Sequence, residues 1–188
     1  MLFRSTMIGT RQEDWLFDGF SHSRARWNVL GQDVMMAQWR QKNASGETAF
    51  WTDDWNGYPA NRDRVLRYLY ERRIANPIVL TGDIHSFWAN DLKLNFDDPN
   101  SPTVATEFVG TSITSHPPPY RPFADLLPGN PHVRYFESRK RGYAALDIGP
   151  DKIVTRFRSL SDVNDMAATV STLKTFAVEN GRPGVVEA

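Results

Sequence analysis

The sequence predicts a domain that is α/β in its first half and mostly β in its second half. Residues 27–30 and 78–81 have the character of short strands, and a helical pattern beginning near Pro59 lies between them. This strand–helix–strand order favours a crossover between two parallel strands. In the second half, residues 143–148 and 153–157 alternate between apolar and polar side chains around a Gly-Pro-Asp turn. That pattern predicts a β-hairpin.

The composition excludes several classes of function. The chain has 188 residues with 22 basic and 22 acidic side chains, so its formal net charge is zero. A neutral chain gives no indication of electrostatic binding to nucleic acid or of a polybasic membrane anchor. The absence of cysteine rules out disulfides and thiolate ligands within these residues. No apolar run has the length of a membrane span, and no apolar segment typical of a signal peptide follows the first residues.

Start and stop signals predict two helices in the first half. Thr10 and Glu13 have the spacing of a capping box for the first helix. Pro59 is expected to lie in the first turn of the second helix, and Asn76-Pro77 is expected to end that helix. The apolar residues of the two expected helices are Trp15, Leu16 and Phe20, and Val65, Leu66, Leu69 and Tyr70. Residues 33–52 are mixed in character, which predicts a long loop with helical turns.

The second half contains turn signals and short β-like runs. Residues 97–102 form a turn cluster, and residues 104–109 have the character of a strand. Residues 116–131 hold six of the twelve prolines and are expected to form an irregular loop. A last β-like stretch covers about residues 170–178.

The strongest functional signal is the run Ile78-Val79-Leu80-Thr81-Gly82-Asp83-Ile84-His85. It predicts a buried strand that stops at Gly82 and then presents an aspartate and a histidine. Because residues two apart in an extended segment point the same way, Asp83 and His85 are expected to aim at one point beyond the strand. A carboxylate oxygen and an imidazole nitrogen suit a divalent or trivalent metal, and ligands of open α/β sheets bind at this edge. The alternative is an ordinary strand-end turn in which His85 makes a single hydrogen bond.

Four further residues are weaker candidates for the site or its surroundings, and each has a structural alternative. Asp54 either approaches a ligand or complements the dipole of the following helix. Asn90 binds metal or phosphate, orients His85, or makes a loop hydrogen bond. Glu107, if buried in its strand, needs a partner such as an arginine or a metal-bound water. His132 is either a ligand or a loop histidine with its hydrogen bonds satisfied. No Ser-His-Asp arrangement and no Walker or Rossmann glycine pattern is present, so catalytic residues are unassigned.

Six blocks of the sequence resemble, in the same order, the C-terminal half of PhoD-type alkaline phosphatases, a branch of the calcineurin-like metallophosphoesterases. The blocks are residues 27–32, 54–62, 80–86, 106–115, 130–133 and 141–143. Each block is short, but together they extend over nearly the whole chain. The resemblance implies that residues 1–188 are a single partial domain, the C-terminal half of a four-layer α/β/β/α sandwich.

The resemblance also implies a hydrolase that acts on phosphomonoesters and often on phosphodiesters at a two-metal centre. The family's centre holds iron and calcium, and related branches use zinc or manganese; the two ions clamp the phosphate. Only Asp83 and His85 match the family's metal-binding Gly-Asp-x-His block, so only they are expected to be metal ligands. The implied partner is a phosphate ester, with no nucleic acid and no membrane span. Family members are mostly periplasmic or secreted through an upstream Tat signal.

The family's other metal ligands come from its N-terminal half, and their motifs do not occur in this sequence. We therefore expect a portion of a longer phosphatase that is inactive alone. The alternatives are one piece of a split enzyme, a non-catalytic remnant or binding module with the same half-fold, and a single-metal hydrolase formed by homodimerisation. Because half a sheet exposes an edge and an apolar face, the chain alone is expected to be poorly stable or to self-associate.

Overall fold

Residues 6–188, which the computed structural model describes, form two stacked β-sheets with helices against the outer face of one sheet. The helices are α1 (Gly9–His22), α2 (Pro59–Glu71) and α3 (Tyr120–Ala124), with 3-10 turns at Trp55–Gly57 and Leu127–Gly129. The first sheet contains β1 (Asn28–Gly31), β4 (Pro77–Thr81), β5 (Phe87–Lys93), β6 (Thr103–Val109) and β7 (Val133–Glu137). The second contains β8 (Gly142–Ile148), β9 (Lys152–Leu160), β10 (Val170–Glu179) and β11 (Arg182–Glu187). A separate two-stranded ribbon joins β2 (Gln41–Lys42) and β3 (Thr48–Ala49).

The first sheet has the strand order β1-β4-β6-β5-β7. Strands β1, β4 and β6 are parallel, with Val29 opposite Ile78 and Ile78 opposite Thr106. The predicted parallel crossover from β1 through α2 to β4 is therefore confirmed. Strand β5 runs antiparallel to both β6 and β7. The sequence analysis missed β5.

The second sheet is an antiparallel meander in the order β11-β10-β9-β8. Its first hairpin joins β8 to β9 with Ile148 opposite Ile153, as predicted. Strand β10 was expected, whereas β11 was not. Apolar side chains from both sheets meet in one core, where Phe157 lies 4.7 Å from Phe87 and 5.4 Å from Phe176 between ring centroids.

The predicted capping box of α1 is wrong. The helix begins at Gly9, whose N–H donates to Thr6 Oγ1 at 3.0 Å, so Thr10 is already inside the first turn. Glu13 does not reach back to the helix start, because Asn61 and Arg64 of α2 bind its carboxylate at 2.7 and 2.6 Å. The contact of Glu13 with α2 therefore takes the place of the predicted contact within α1.

Helix α2 follows the prediction at its start and on most of its buried face. Pro59 is its first residue. Val65, Leu66 and Leu69 are buried against the first sheet, whereas Tyr70 is 49% exposed, so its predicted burial is wrong.

The long segment between β1 and α2 contains no helical turn before its 3-10 turn at Trp55–Gly57, which corrects the expectation for residues 33–52. It instead contains the β2–β3 ribbon and a buried irregular stretch, residues 35–39. The proline-rich loop, by contrast, includes the short helix α3. The helices of residues 6–188 are all too short or too polar to cross a membrane.

Strand β1 forms an edge of the first sheet and borders an apolar groove of about 420 Å³. Val29 on this strand is 43% exposed and Trp15 on α1 is 70% exposed. Among residues 6–188, no ionisable side chain lines this groove. An open strand edge next to exposed apolar side chains is a typical site of association.

We predict that the purified chain self-associates through this edge. A Val29→Lys substitution should shift the chain to monomers in size-exclusion chromatography with light scattering, because a lysine on an edge strand opposes strand pairing. Val186→Lys, at an exposed position of β11 in the other sheet, is the control and should leave the oligomeric state unchanged. A monomeric parent chain would contradict the prediction.

The backbone of β8 lies very close to that of β9 at Gly142. Gly142 has φ +153°, and an added Cβ would lie 1.8 Å from the carbonyl oxygen of Arg158 on β9. Gly142→Ala should therefore lower the free energy of unfolding by at least about 1–3 kcal/mol, the cost of one strained backbone position. Gly31→Ala, where the added Cβ meets nothing within 4 Å, is the control for urea denaturation. Equal stability of the two variants would show that the contact relaxes at no cost.

Candidate functional site

The turn after β4 brings together the carboxyl ends of the three parallel strands. Gly82 N–H donates to the Asp33 carbonyl after β1 at 2.9 Å, and Gly110 N–H after β6 donates to the Thr81 carbonyl at 2.9 Å. Within the turn, Ile84 N–H donates to the Gly82 carbonyl at 2.8 Å. The turn thus lies at the sheet edge where the sequence predicted a ligand site.

Asp83 and His85 are not extended, which corrects the geometric premise of the sequence analysis. Their φ values are +64° and +55°, in the left-handed region that residues other than glycine rarely adopt. Both side chains nevertheless line one cavity of about 440 Å³. Two strained positions flanking one residue indicate a turn that the surrounding structure holds in place, which is common at functional sites.

The hydrogen bond of His85 fixes the role of its ring nitrogens. Nδ1 lies 2.9 Å from the carbonyl oxygen of His116. Because a carbonyl only accepts, Nδ1 carries the proton and Nε2 of the neutral ring is left as an acceptor. This is how protein carbonyls orient metal-binding histidines.

Asp83 and His85 alone do not make a complete metal site. Within residues 6–188, no group of three or more His, Cys, Asp or Glu side chains is arranged to hold a metal ion. Zinc centres, for comparison, have three or four protein donors. The described residues therefore place two potential metal donors on one cavity and supply no third.

Asp54 lines the same cavity but already has a structural role. It is buried, and its carboxylate accepts hydrogen bonds from the backbone and side chain of Asn56 at 2.7–3.0 Å, which caps the 3-10 turn. Burial raises the pKa of Asp54 to about 6, against the lowering effect of the Asn56 hydrogen bonds. The hydrogen bonds of Asp54 are therefore those of a helix cap, as in the structural alternative. The helix that it caps is the 3-10 turn at Trp55–Gly57 and not α2.

Glu107 and Asn90 face each other on β6 and β5 and do not line the cavity. Glu107 is fully buried and accepts hydrogen bonds from Met36 N–H at 2.6 Å and Ala37 N–H at 3.0 Å. Asn90 Nδ2 donates to the same carboxylate at 2.8 Å. Burial raises the pKa of Glu107 to about 7, although these hydrogen bonds act to lower it. The partners of the buried carboxylate are thus two backbone N–H groups and an amide.

His132 holds the neighbouring part of the same irregular stretch. It is buried, and its Nε2 lies 2.5 Å from the Gln38 carbonyl, to which it must donate. Burial lowers its pKa to about 4. Asn130, two residues earlier, pairs with both backbone groups of Arg40 at 2.9 and 3.0 Å. His132 is therefore a satisfied structural histidine outside the cavity lining.

The sequence analysis missed most of the residues that line the cavity beside Asp83 and His85. The additional lining residues are Met35, Trp39, Gln41, Trp51, Ile84 and Phe123. The cluster of Met and Trp side chains at residues 35–39 was a usable signal, since such a run in a polar segment marks a buried stretch. Phe123 lies in the proline-rich loop, and no local pattern connects it to the others.

We predict that Glu107→Gln lowers the free energy of unfolding by about 1–3 kcal/mol, because the amide NH₂ leaves at least one buried backbone N–H without an acceptor. The pH dependence should change as well. Since the folded-state pKa of Glu107 is raised, its contribution to stability is present at low pH and is lost as the pH rises towards 7.

Urea denaturation of both proteins from pH 5 to 8 checks this. The difference between parent and variant should be largest at low pH and should shrink as the pH rises. Glu71→Gln on the exposed face of α2 serves as the control. A difference that does not change with pH would contradict the assigned titration.

Comparison with known proteins places this geometry in a family. A profile described as PhoD-like phosphatase matches residues 3–157. The chain is 36% identical over 183 residues to alkaline phosphatase D of Bacillus subtilis (strain 168), an alignment that covers 96% of this chain and 31% of the relative. A solved structure of PhoD matches with a TM-score of 0.88 and 32% sequence identity, covering 98% of this chain and 36% of that chain.

The chain therefore spans about a third of the length of these relatives. The α/β fold expected from the resemblance is confirmed, because the match to the solved structure extends over nearly the whole chain. The chain belongs to the PhoD-like phosphatase family.

Proposed function

We propose that this chain provides the C-terminal part of a metal-dependent phosphoric ester hydrolase that acts on phosphomonoesters or phosphodiesters. The observation that carries the proposal is the turn after β4, where a carboxylate and an imidazole line one cavity at the carboxyl edge of parallel strands. Membership of the PhoD-like phosphatase family supports the reaction class.

Asp83 and His85 are the proposed metal ligands. A bound metal ion supplies positive charge that holds and polarises the phosphate. Asp83 offers its exposed carboxylate, and His85 offers Nε2 while the His116 carbonyl holds the other ring nitrogen. Iron and calcium are the proposed ions, with zinc or manganese as alternatives.

The other candidate residues are proposed to hold the lining of the cavity in place. Asp54 fixes the 3-10 turn beside the cavity. Glu107 and His132 bind backbone groups of residues 36–38, and Asn90 binds the Glu107 carboxylate. These hydrogen bonds keep the adjoining Trp39 in the cavity wall. None of these three is proposed to touch the ester.

The remaining donors are proposed to come from protein outside this chain's described residues. The apolar groove beside β1 supports a protein partner there, because it pairs an open strand edge with exposed Trp15 and Val29. That partner is the N-terminal part of the domain, in one polypeptide or as a separate piece. A second copy of this chain is the alternative.

A non-catalytic binding module with the same half-fold is the second candidate function. The observation that favours it is the two-donor set, since residues 6–188 do not assemble a third metal ligand. Metal binding separates the two candidates, because a binding module need not retain a metal preference at Asp83.

The test is paramagnetic broadening of the chain's NMR signals by Mn²⁺, together with an assay of p-nitrophenyl phosphate hydrolysis. We expect broadening centred on residues 82–86 and no turnover by the chain alone. Asp83→Gly should reduce the Mn²⁺ affinity at least about tenfold, a loss of about 1.4 kcal/mol. It should not lower the melting temperature, because glycine adopts φ +64° without strain.

Two further variants make the test specific. His85→Ala should abolish the broadening, whereas His116→Ala should keep it, because His116 orients His85 through its backbone carbonyl. Broadening that is absent or centred elsewhere would refute the metal assignment. Turnover by the chain alone would contradict the expectation that further donors are required.

A further inference from the structure

The cavity beside Asp83 and His85 has a chemically divided lining. Its polar side chains are Gln41, Asp54, Asp83 and His85, and its apolar side chains are Met35, Trp39, Trp51, Ile84 and Phe123. Its volume of about 440 Å³ lies within the range of small-molecule sites. No lysine or arginine of the described part of the chain lines it, so these residues offer no cation for a phosphate. The apolar side chains, which we call the aromatic wall, need a different explanation.

The inner part of the aromatic wall is rigid. Trp39 is 1% exposed and stacks on Phe123, with ring centroids 5.9 Å apart and planes within 6°. Trp88 packs edge-on against the same indole at 4.9 Å. The Trp39 backbone N–H is held by Asn56 Oδ1 at 3.2 Å. A flat ligand would meet a surface that is already in position, which lowers the entropic cost of binding.

Trp39 also has an unused donor. Its indole Nε1 is buried and has no hydrogen-bond acceptor among residues 6–188. Buried donors without partners are rare in proteins and call for an acceptor from water or a ligand.

Trp51 forms the outer part of the aromatic wall and is 62% exposed. The segment that carries it is pressed against the 3-10 turn, since a Cβ on Gly57 would lie 2.1 Å from the Thr52 carbonyl oxygen. The backbone next to Trp51 is therefore closely packed, while most of the Trp51 side chain, which lines the cavity, faces solvent. Such exposed aromatic residues are typical of binding sites.

We propose that the aromatic wall binds the flat, apolar alcohol group of a phosphate ester, with Trp51 as the residue that sets this specificity. The part of the proposal that concerns esters rests on the proposed function, because Asp83 and His85 must receive the phosphate end. The preferred substrates are then aryl esters or esters of other flat apolar alcohols. Small hydrophilic alkyl esters are poor substrates.

The test begins with phenol, a probe that has neither phosphate nor a need for metal. Phenol titrated into the metal-free ¹⁵N-labelled chain should shift the indole N–H signals of Trp39 and Trp51. Trp51→Ala should weaken this binding about three- to tenfold, the range expected for loss of one aromatic pair. Phe50→Ala is the matched control, because Phe50 is the neighbouring exposed aromatic residue and does not line the cavity.

A second titration uses phenylphosphonate and methylphosphonate in the presence of Mn²⁺. The parent should prefer phenylphosphonate, and Trp51→Ala should remove that preference while methylphosphonate affinity stays unchanged. Equal affinity of the parent for the two phosphonates, or the same loss in Trp51→Ala and Phe50→Ala, would overturn the proposal. So would a change of oligomeric state in Trp51→Ala with unchanged phenol binding, which would make Trp51 a protein contact.

The two arms separate this proposal from the proposed function. If phenol binds at Trp51 but Mn²⁺ does not localise to residues 82–86, the aromatic site is supported and the metal assignment fails. If Mn²⁺ localises there but phenol does not distinguish Trp51→Ala from the parent, the metal assignment is supported and the aromatic specificity is overturned.

Discussion

The constraint on which the site depends is the burial of the irregular stretch, residues 35–39, between the first sheet and the segment before α2. Buried backbone groups need hydrogen-bond partners, and this stretch obtains several from side chains instead of a neighbouring strand. Glu107 accepts from the N–H groups of Met36 and Ala37, and Asn56 accepts from the N–H of Trp39. His132 donates to the Gln38 carbonyl, and Asn130 binds both backbone groups of the adjoining Arg40. The price of this arrangement is a buried carboxylate with a raised pKa and a buried histidine with a lowered one.

This arrangement joins two parts of the candidate site. The irregular stretch places Trp39 in the cavity wall. The turn after β4, a separate segment of the chain, places Asp83 and His85 in the lining of the same cavity. Strand β6 contributes to both, because Glu107 holds the stretch and the Gly110 N–H binds the end of β4. The aromatic wall and the proposed metal ligands Asp83 and His85 are therefore backed by the same strand.

Local patterns predicted what local interactions decide. The β1–α2–β4 crossover and the β8–β9 hairpin follow from apolar periodicity, Pro59 and a Gly-Pro-Asp turn, and the position of Asp83 and His85 follows from Gly82 after a buried strand. Other features depend on partners distant in sequence. Glu13 does not form the predicted capping box, because its carboxylate binds Asn61 and Arg64 instead. Asn90 is a polar residue within β5, and its partner Glu107 lies opposite it on β6. The left-handed turn has no periodic signal, and the aromatic wall joins residues from four separate segments.

Hydrogen–deuterium exchange at the Met36 and Ala37 amides tests the central claim most directly, because these amides lie outside any helix or strand. The account predicts that they exchange as slowly as the core amides of β6, and that Glu107→Gln accelerates their exchange at least about tenfold more than that of the β6 amides. Exchange of both amides at the rate of an exposed loop in the parent chain would contradict it. The candidate site would then lack the rigid backing on which the binding proposals depend.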